Sequence, residues 1–110
     1  MSLQLVKPKF QEDLDSSPDY LRRFYTHMDL SGKALTGEQY TRIVKQFLDA
    51  VGKSPDQVKL IDIEDWLSKM KKEASERTAN KYSFALRKFF EWYGAAYNLE
   101  RDLAKLIPTS

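Results

Sequence analysis

The chain has 110 residues and no cysteine, which excludes disulfide bonds and thiolate metal sites. Hydrophobic residues make up 42% and aromatic residues 13% of it, so the composition is that of one folded domain and not of a disordered segment. No apolar run approaches the roughly 18 residues of a membrane span, and residues 1–10 lack the apolar centre of a signal peptide. We therefore expect a cytoplasmic protein with no membrane partner.

Positive charge is concentrated in one quarter of the chain. The formal net charge is only +2, but residues 66–90 hold seven Lys or Arg and two Asp or Glu, a local charge of +5. Residues 36–65 hold four Lys or Arg and six Asp or Glu, which gives a local charge of −2. Such a local excess is typical of a phosphate-binding surface, although a basic face that is merely solvated has the same pattern.

The first part of the chain is predicted to be an arm followed by a helix. Residues 1–16 are polar and show no sustained hydrophobic period, so we expect an extended or flexible N-terminal arm. A helix then begins at Pro18, with Ser17 as its cap and apolar residues at helical spacing. Ser31 and Gly32 are predicted to end it.

Two further helices are predicted in the middle of the chain. Thr36 and Gln39 have the spacing of a capping box at the start of the second helix, and Gly52 ends this helix. Asp62 is the predicted cap of the third helix, whose last turn holds lysines that complement the helix dipole. Apolar residues recur along both segments at the spacing that lets a helix bury one face.

The fourth predicted helix is the most informative part of the sequence. Ser75 caps it, Gly94 ends it, its first half is rich in cations and its second half in aromatic residues. A short fifth helix covers residues 99–106. Four to five helices without credible strand pairs predict a compact all-α bundle, in one domain over residues 17–107.

The sequence has no recognisable catalytic constellation. His27 is the single histidine, and there is neither a Gly-rich phosphate loop nor a His pair for a metal. The neighbouring carboxylates Asp62, Glu64 and Asp65 are explained by capping and the helix dipole. We expect no catalytic residue, no metal and no cofactor.

The aromatic residues of the fourth helix have two interpretations. Phe89, Phe90, Trp92 and Tyr93 could stack on unpaired bases, but their helical spacing favours a core. Trp92 lies roughly opposite the others, and we expect it either to face a partner or to pack under the terminal helix.

The basic first half of the fourth helix is the candidate nucleic-acid site. A helix N-terminus attracts phosphate through its free N–H groups and its dipole, and Thr78 adds a hydroxyl. Arg77 or Lys81 could then reach base edges in the major groove. The outward face of the second helix carries a weaker version of the same arrangement of basic and polar residues. The candidate DNA-binding residues are Thr36, Gln39, Arg42, Lys45, Arg77, Thr78, Lys81, Arg87 and Lys88.

Three segments have the order and spacing of motifs of a known family. Residues 36–48 carry a Thr, a Tyr and a Phe along one helix, and residues 61–67 read Ile-Asp-Ile-Glu-Asp-Trp-Leu. Residues 77–90 begin with Arg-Thr-Ala-Asn-Lys and end with Leu-Arg-Lys-Phe-Phe. On these segments the chain resembles the N-terminal core-binding domain of tyrosine recombinases, or phage integrases, which has a SAM-like fold.

The resemblance implies a helical domain that forms half of a clamp around duplex DNA, near the crossover site of DNA integration or recombination. It also implies that the last helix contacts a neighbouring recombinase subunit. Phe84 departs from the family pattern, because it is bulkier than the small polar residue often found there. The DNA contacts that the motif positions imply are Thr36, Gln39, Arg77, Thr78 and Lys81.

The catalytic residues of the family, an Arg, a Lys, a His and a nucleophilic Tyr, have no counterpart in these 110 residues. We therefore expect a non-enzymatic part of a longer recombinase.

A helical protein-interaction domain without nucleic-acid binding is the alternative function. SAM-like folds often serve that role, and the aromatic residues between Trp92 and Tyr97 could form a docking surface. This alternative predicts dimers or partner complexes that form without DNA.

Overall fold

Six α-helices and one 3-10 turn form the regular structure of residues 8–99 and 102–109, which the computed structural model describes. The helices are α1 (Pro8–Asp15), α2 (Asp19–Leu30), α3 (Ala34–Val51), α4 (Leu60–Glu73), α5 (Glu76–Ala96) and α6 (Leu103–Leu106), and the 3-10 turn is Pro55–Gln57. These residues contain no strand, so the predicted all-α class is confirmed. No helix in the two ranges combines the length and apolarity that a bilayer crossing requires.

The longest helix, α5, is the one on which the others pack. It contacts α2, α3, α4 and α6, and its side chains Leu86 and Phe89 are fully buried. The Phe89 ring meets Phe24 of α2 edge to face, with ring centroids 5.2 Å apart. Phe47 of α3 meets Trp66 of α4 at the same separation. Each such buried side chain contributes about 1.5–3 kcal/mol, so this core holds α5 in one orientation.

The predicted end of α5 at Gly94 is wrong, because the helix continues to Ala96. The ring of Tyr97 lies 4.7 Å from that of Tyr93, and this contact offsets the roughly 1 kcal/mol that an interior glycine costs a helix. Asn98 then takes a left-handed conformation with φ of 55° and turns the chain away. The predicted fifth helix over 99–106 corresponds to the shorter α6, and two of its residues lie outside the described ranges.

Two predicted caps are wrong in position. The helix α3 begins two residues before Thr36, so Thr36 and Gln39 lie inside it and form no capping box. The helix α4 likewise begins two residues before Asp62, because a half-buried leucine at its first position packs on the core. The Asp62 carboxylate accepts hydrogen bonds from the Lys59 backbone N–H at 2.9 Å and the Lys53 ammonium at 2.8 Å.

The expectation of an extended arm over residues 1–16 is wrong from Pro8 onward, where α1 begins. Phe10 and Leu14, one helical turn apart, are both buried. The Phe10 ring lies 5.2 Å from that of Tyr25 in α2. These two anchors attach α1 to the bundle, while the seven residues before it lie outside the described part of the chain.

The expected cap of α2 by Ser17 is also wrong. The Ser17 hydroxyl donates to the carbonyl oxygen of Asp13 at 2.5 Å, and no side chain caps α2. The Ser17 backbone N–H donates to the Leu14 carbonyl at 3.1 Å. Ser17 therefore ends α1 instead of beginning α2.

The helices α2 and α3 approach each other closely at Gly37. A Cβ at this position would lie 2.6 Å from the Cβ of Met28, which is itself buried. Non-bonded carbon atoms are at their optimum near 3.5–4.0 Å, so a side chain here would force a shift. Glycine is thus the residue that permits this packing, although it weakens a helix.

We expect Gly37→Ala to lower the free energy of unfolding by about 1–3 kcal/mol, because the added methyl group overpacks the contact between α2 and α3. Gly94→Ala is the matched control, since nothing lies within 4 Å of a Cβ there. We expect the control to stabilise the chain by about 0.5–1 kcal/mol through helix propensity. Urea unfolding followed by circular dichroism measures both values, and equal stabilisation by the two substitutions would contradict the close approach.

The Lys53 ammonium and the Lys59 backbone N–H lower the pKa of Asp62 from its ordinary value of 3.8. A carboxyl group with a lowered pKa stabilises the fold above its unfolded pKa, and this contribution is lost as pH falls through the folded-state pKa. We therefore expect Asp62→Asn to destabilise the chain near neutral pH by up to about 1 kcal/mol. The difference from wild type should shrink as pH falls below 3.8 and vanish below the lowered folded-state pKa. Unfolding titrations of both proteins from neutral pH to below 3.8 test this prediction. A difference in the free energy of unfolding that does not depend on pH would contradict the role of the carboxylate charge.

Candidate nucleic-acid interface

One outward face of α5 carries three cations and one phenyl ring in a row, which we call the α5 stripe: Arg77, Lys81, Phe84 and Lys88. The positions are four, three and four residues apart, so they share one face of the helix. Arg77 and Lys81 are exposed and Lys88 is half-buried. Neither Arg77 nor Lys81 has an ion-pair partner among the described residues.

The amino end of α5 is capped by Ser75, as predicted. The Ser75 Oγ accepts a hydrogen bond from the Thr78 backbone N–H at 3.0 Å. The Ser75 hydroxyl in turn donates to the Thr78 Oγ1 at 3.0 Å. The proton of the Thr78 hydroxyl is therefore left to donate to another acceptor, at the positive end of the helix dipole and beside the exposed Arg77.

The last turn of α4 adds lysines close to this end of α5, because only two residues separate the helices. The Lys71 ammonium lies 3.8 Å from the carboxylate of Glu76, the one acidic residue in the first turn of α5. Lys69 and Lys72 are exposed and make no ion pair with described residues. These lysines belong to the basic segment of residues 66–90, and the short connection between the helices places Lys71 beside the first turn of α5.

The carboxyl end of the α5 stripe meets the amino end of α3 at a cleft of about 330 Å³. The α3 side of the cleft contains Thr36 and Tyr40, and Lys33 lies just before the helix. The α5 side contains Phe84 and Lys88. The structure thus brings Thr36 together with part of the stripe, and adds Lys33, which only the tertiary fold could have identified.

Two candidate residues of α3 lie on a different side, in a groove next to α1. Arg42 forms an ion pair with Glu38 at 3.3 Å, and its guanidinium lies 5.1 Å from the centroid of the Phe10 ring. Lys45 forms an ion pair with Asp49 at 3.1 Å. Both cations are occupied by partners within the chain, and the structure does not bring them together with the α5 stripe.

The last two candidates have intermediate positions. The Arg87 guanidinium lines the cleft and donates to the Thr109 hydroxyl at 3.1 Å. It therefore connects α5 to the segment after α6. Gln39 is exposed on α3, one turn after Thr36, and can extend the surface at the α3 end of the cleft.

The aromatic residues of α5 that could stack on bases have structural roles. Trp92 is half-buried and packs on α2, with its ring 5.5 Å from Phe24 and 6.2 Å from the ring of His27. It therefore lies neither wholly toward a partner nor under the terminal helix. Phe89, Phe90 and Tyr93 are buried, so the core interpretation of these residues is confirmed.

The described carboxylates and the histidine form no group suited to a metal ion. Within residues 8–99 and 102–109, no three His, Asp or Glu side chains come close enough to hold a metal ion. The basic face of α5, with its exposed Arg77 and Lys81, is suited to an anionic ligand.

These observations define a class of protein, namely a small all-helical bundle with a cationic face on its longest helix. The family model described as phage integrase, N-terminal SAM-like domain, matches residues 20–96, and the chain belongs to that family. This confirms the resemblance stated from the sequence motifs. The match begins in α2 and ends with α5, so α1 and α6 lie outside it. No curated protein and no solved structure gives a significant match.

We expect Arg42→Ala to destabilise the chain by about 0.5–1 kcal/mol, because it removes the cation over the buried Phe10 ring. Arg77→Ala is the matched control, and we expect its free energy of unfolding to stay within about 0.5 kcal/mol of wild type. Urea unfolding at moderate salt measures both. Equal effects of the two substitutions would contradict the separation into a partnered and an unpartnered arginine.

Proposed function

We propose that the chain is the DNA-binding, core-binding domain of a site-specific tyrosine recombinase or integrase, and that it grips duplex DNA near the crossover site. Membership of the phage integrase family supports this proposal. The observation that carries it is the exposed α5 stripe, in which Arg77 and Lys81 have no carboxylate partner among the described residues. The proposed function is binding and not strand cleavage, since the sequence has no catalytic constellation.

Phosphate contacts supply most of the affinity in this proposal. A cation that neutralises a phosphate releases condensed counterions, so binding weakens steeply as salt rises. Arg77 and Lys81 are free to do so without breaking an ion pair, and the Thr78 hydroxyl can donate to a phosphate oxygen. Phosphate contacts of this kind fix the position of the protein and carry no sequence information.

The amino end of α3 would form the second contact with the duplex. Thr36 and Lys33 lie across the cleft from Lys88, and Gln39 is exposed one turn further along α3. An α-helix fits the major groove of B-DNA. With α5 in the groove, the end of α3 would contact the adjacent backbone. Arg42 and Lys45 would contribute only at the edge, because they first have to leave their carboxylate partners.

A neighbouring recombinase subunit is the second proposed partner, and α6 is its proposed contact. Leu103 and Ala104 of this helix are buried, whereas Leu106 is 61% exposed. An exposed leucine on a short terminal helix can be covered by another subunit when several assemble on one DNA site. We expect the protein to act in the cytoplasm, where its DNA would be.

A protein-interaction domain is the competing function, and one groove favours it. The groove lies between α2 and the carboxyl end of α5, has a volume of about 580 Å³ and is lined by Leu30, Trp92 and Tyr97 among others. Leu30 is 83% exposed. Exposed apolar surface of this kind is found at protein docking sites.

We expect Lys81→Glu to weaken binding to duplexes of any sequence by roughly tenfold at low salt, and to reduce the slope of log K against log salt by about 1. The reason is the loss of a phosphate contact and the gain of a repulsive charge. Lys105→Glu in α6 is the control, because it changes the formal net charge equally, from +2 to 0, away from the stripe. Fluorescence anisotropy titrations at several salt concentrations measure both variants.

Equal losses for Lys81→Glu and Lys105→Glu would show that net charge alone drives binding, and would contradict the proposed contact face. Size-exclusion chromatography with and without duplex DNA separates the two functions. A chain that dimerises without DNA and binds no duplex would be a protein-interaction domain instead.

A further inference from the structure

Phe84 is a large apolar side chain in the middle of the α5 stripe. It is 45% exposed, and its neighbours along the same face are Lys81 three residues before it and Lys88 four residues after it. The side chain also lines the cleft between α5 and the amino end of α3. Phe84 is therefore an exposed apolar side chain with a lysine on either side along the helix face, in a cleft that Glu91 also lines.

The proposed phosphate contacts leave Phe84 without a role, because a phenyl ring has no hydrogen-bond donor for a phosphate oxygen. Core packing does not account for it either, since α5 buries its opposite face, which includes Leu86 and Phe89. The major groove of DNA presents one apolar group to a protein, the C5-methyl group of thymine. A phenyl ring on a helix that enters the groove is suited to contact that methyl group.

Building on the proposed DNA-binding function, we infer that Phe84 contacts thymine methyl groups in the major groove and gives the chain a preference for thymine at that position. Lys81 and Lys88 are seven positions apart, which is about 10 Å along the helix. The major groove is about 12 Å wide. The two ammonium groups can thus contact phosphates on either side of the groove while Phe84 lies between them, facing the base edges.

The test compares two duplexes of equal length, one of alternating dA and dT and one of alternating dA and dU, which differ only in the C5-methyl group. Fluorescence anisotropy at low salt gives the affinity of the 110-residue chain for each. We expect wild type to bind the thymine duplex about fourfold more tightly, the effect of burying one methyl group. Phe84→Ala should bind both duplexes equally, and Phe84→Leu should keep part of the preference.

Lys81→Glu is the control, because it should weaken binding to both duplexes alike and keep the preference for thymine. Circular dichroism checks that each variant is folded. A preference that survives Phe84→Ala would arise from duplex shape and would overturn the inference.

Equal affinities of wild type for the two duplexes, together with binding that still weakens in salt, would overturn the Phe84 contact and leave the DNA-binding proposal intact. Absence of binding to either duplex would overturn both. If Phe84→Ala instead abolished self-association without changing DNA binding, the ring would belong to a protein interface and the inference would be wrong.

Discussion

The contact between Phe24 and Phe89 determines how α5 is oriented in the bundle. Phe89 is fully buried, and Phe24 of α2 packs against it edge to face. Aromatic pairs in this geometry contribute about 0.5–1.5 kcal/mol beyond the burial of their area. Because opposite faces of a helix cannot both be buried in so small a bundle, this contact turns the other face of α5, with Arg77 and Lys81, toward solvent. The core thus selects which cations are available to a ligand.

Pairing with carboxylates then separates the available cations from the others. Arg42 and Lys45 each have an acidic partner four residues away on α3, so a phosphate would have to displace that partner. Arg77 and Lys81 exchange only water and counterions for a phosphate. An exposed ion pair contributes only about 0–1 kcal/mol. This cost nevertheless arises for each cation that has to leave its carboxylate partner before it binds a phosphate. The α5 stripe is therefore the favoured surface for a polyanion, and α5 also carries four basic residues where α3 carries two.

Local signals in the sequence were sufficient for the all-α class and for most of α5, but not for features that depend on distant contacts. Ser75 was recognisable as a cap from the residue alone, and the cations in the first half of the helix were visible in the sequence. The end of α5 was predicted wrongly for a local reason, because Gly94 reads as a stop but the helix runs through it, and the Tyr97 ring then contacts Trp92 and Tyr93 of the same helix. The helix α1 was missed because Phe10 becomes an anchor only when α2 and Arg42 lie against it.

The meeting of α3 with α5 is likewise a tertiary property, and it depends on Met28. This side chain is buried in the core, lies against Gly37 and lines the cleft that contains Thr36 and Lys88. The missing Cβ at Gly37 lets α3 come close to α2, and α2 is held on α5 by its aromatic contacts. The amino end of α3 is thereby brought to the carboxyl end of the α5 stripe. Because close-packed interiors transmit strain and do not absorb it, the spacing between α2 and α3 sets the spacing between the two proposed DNA contacts.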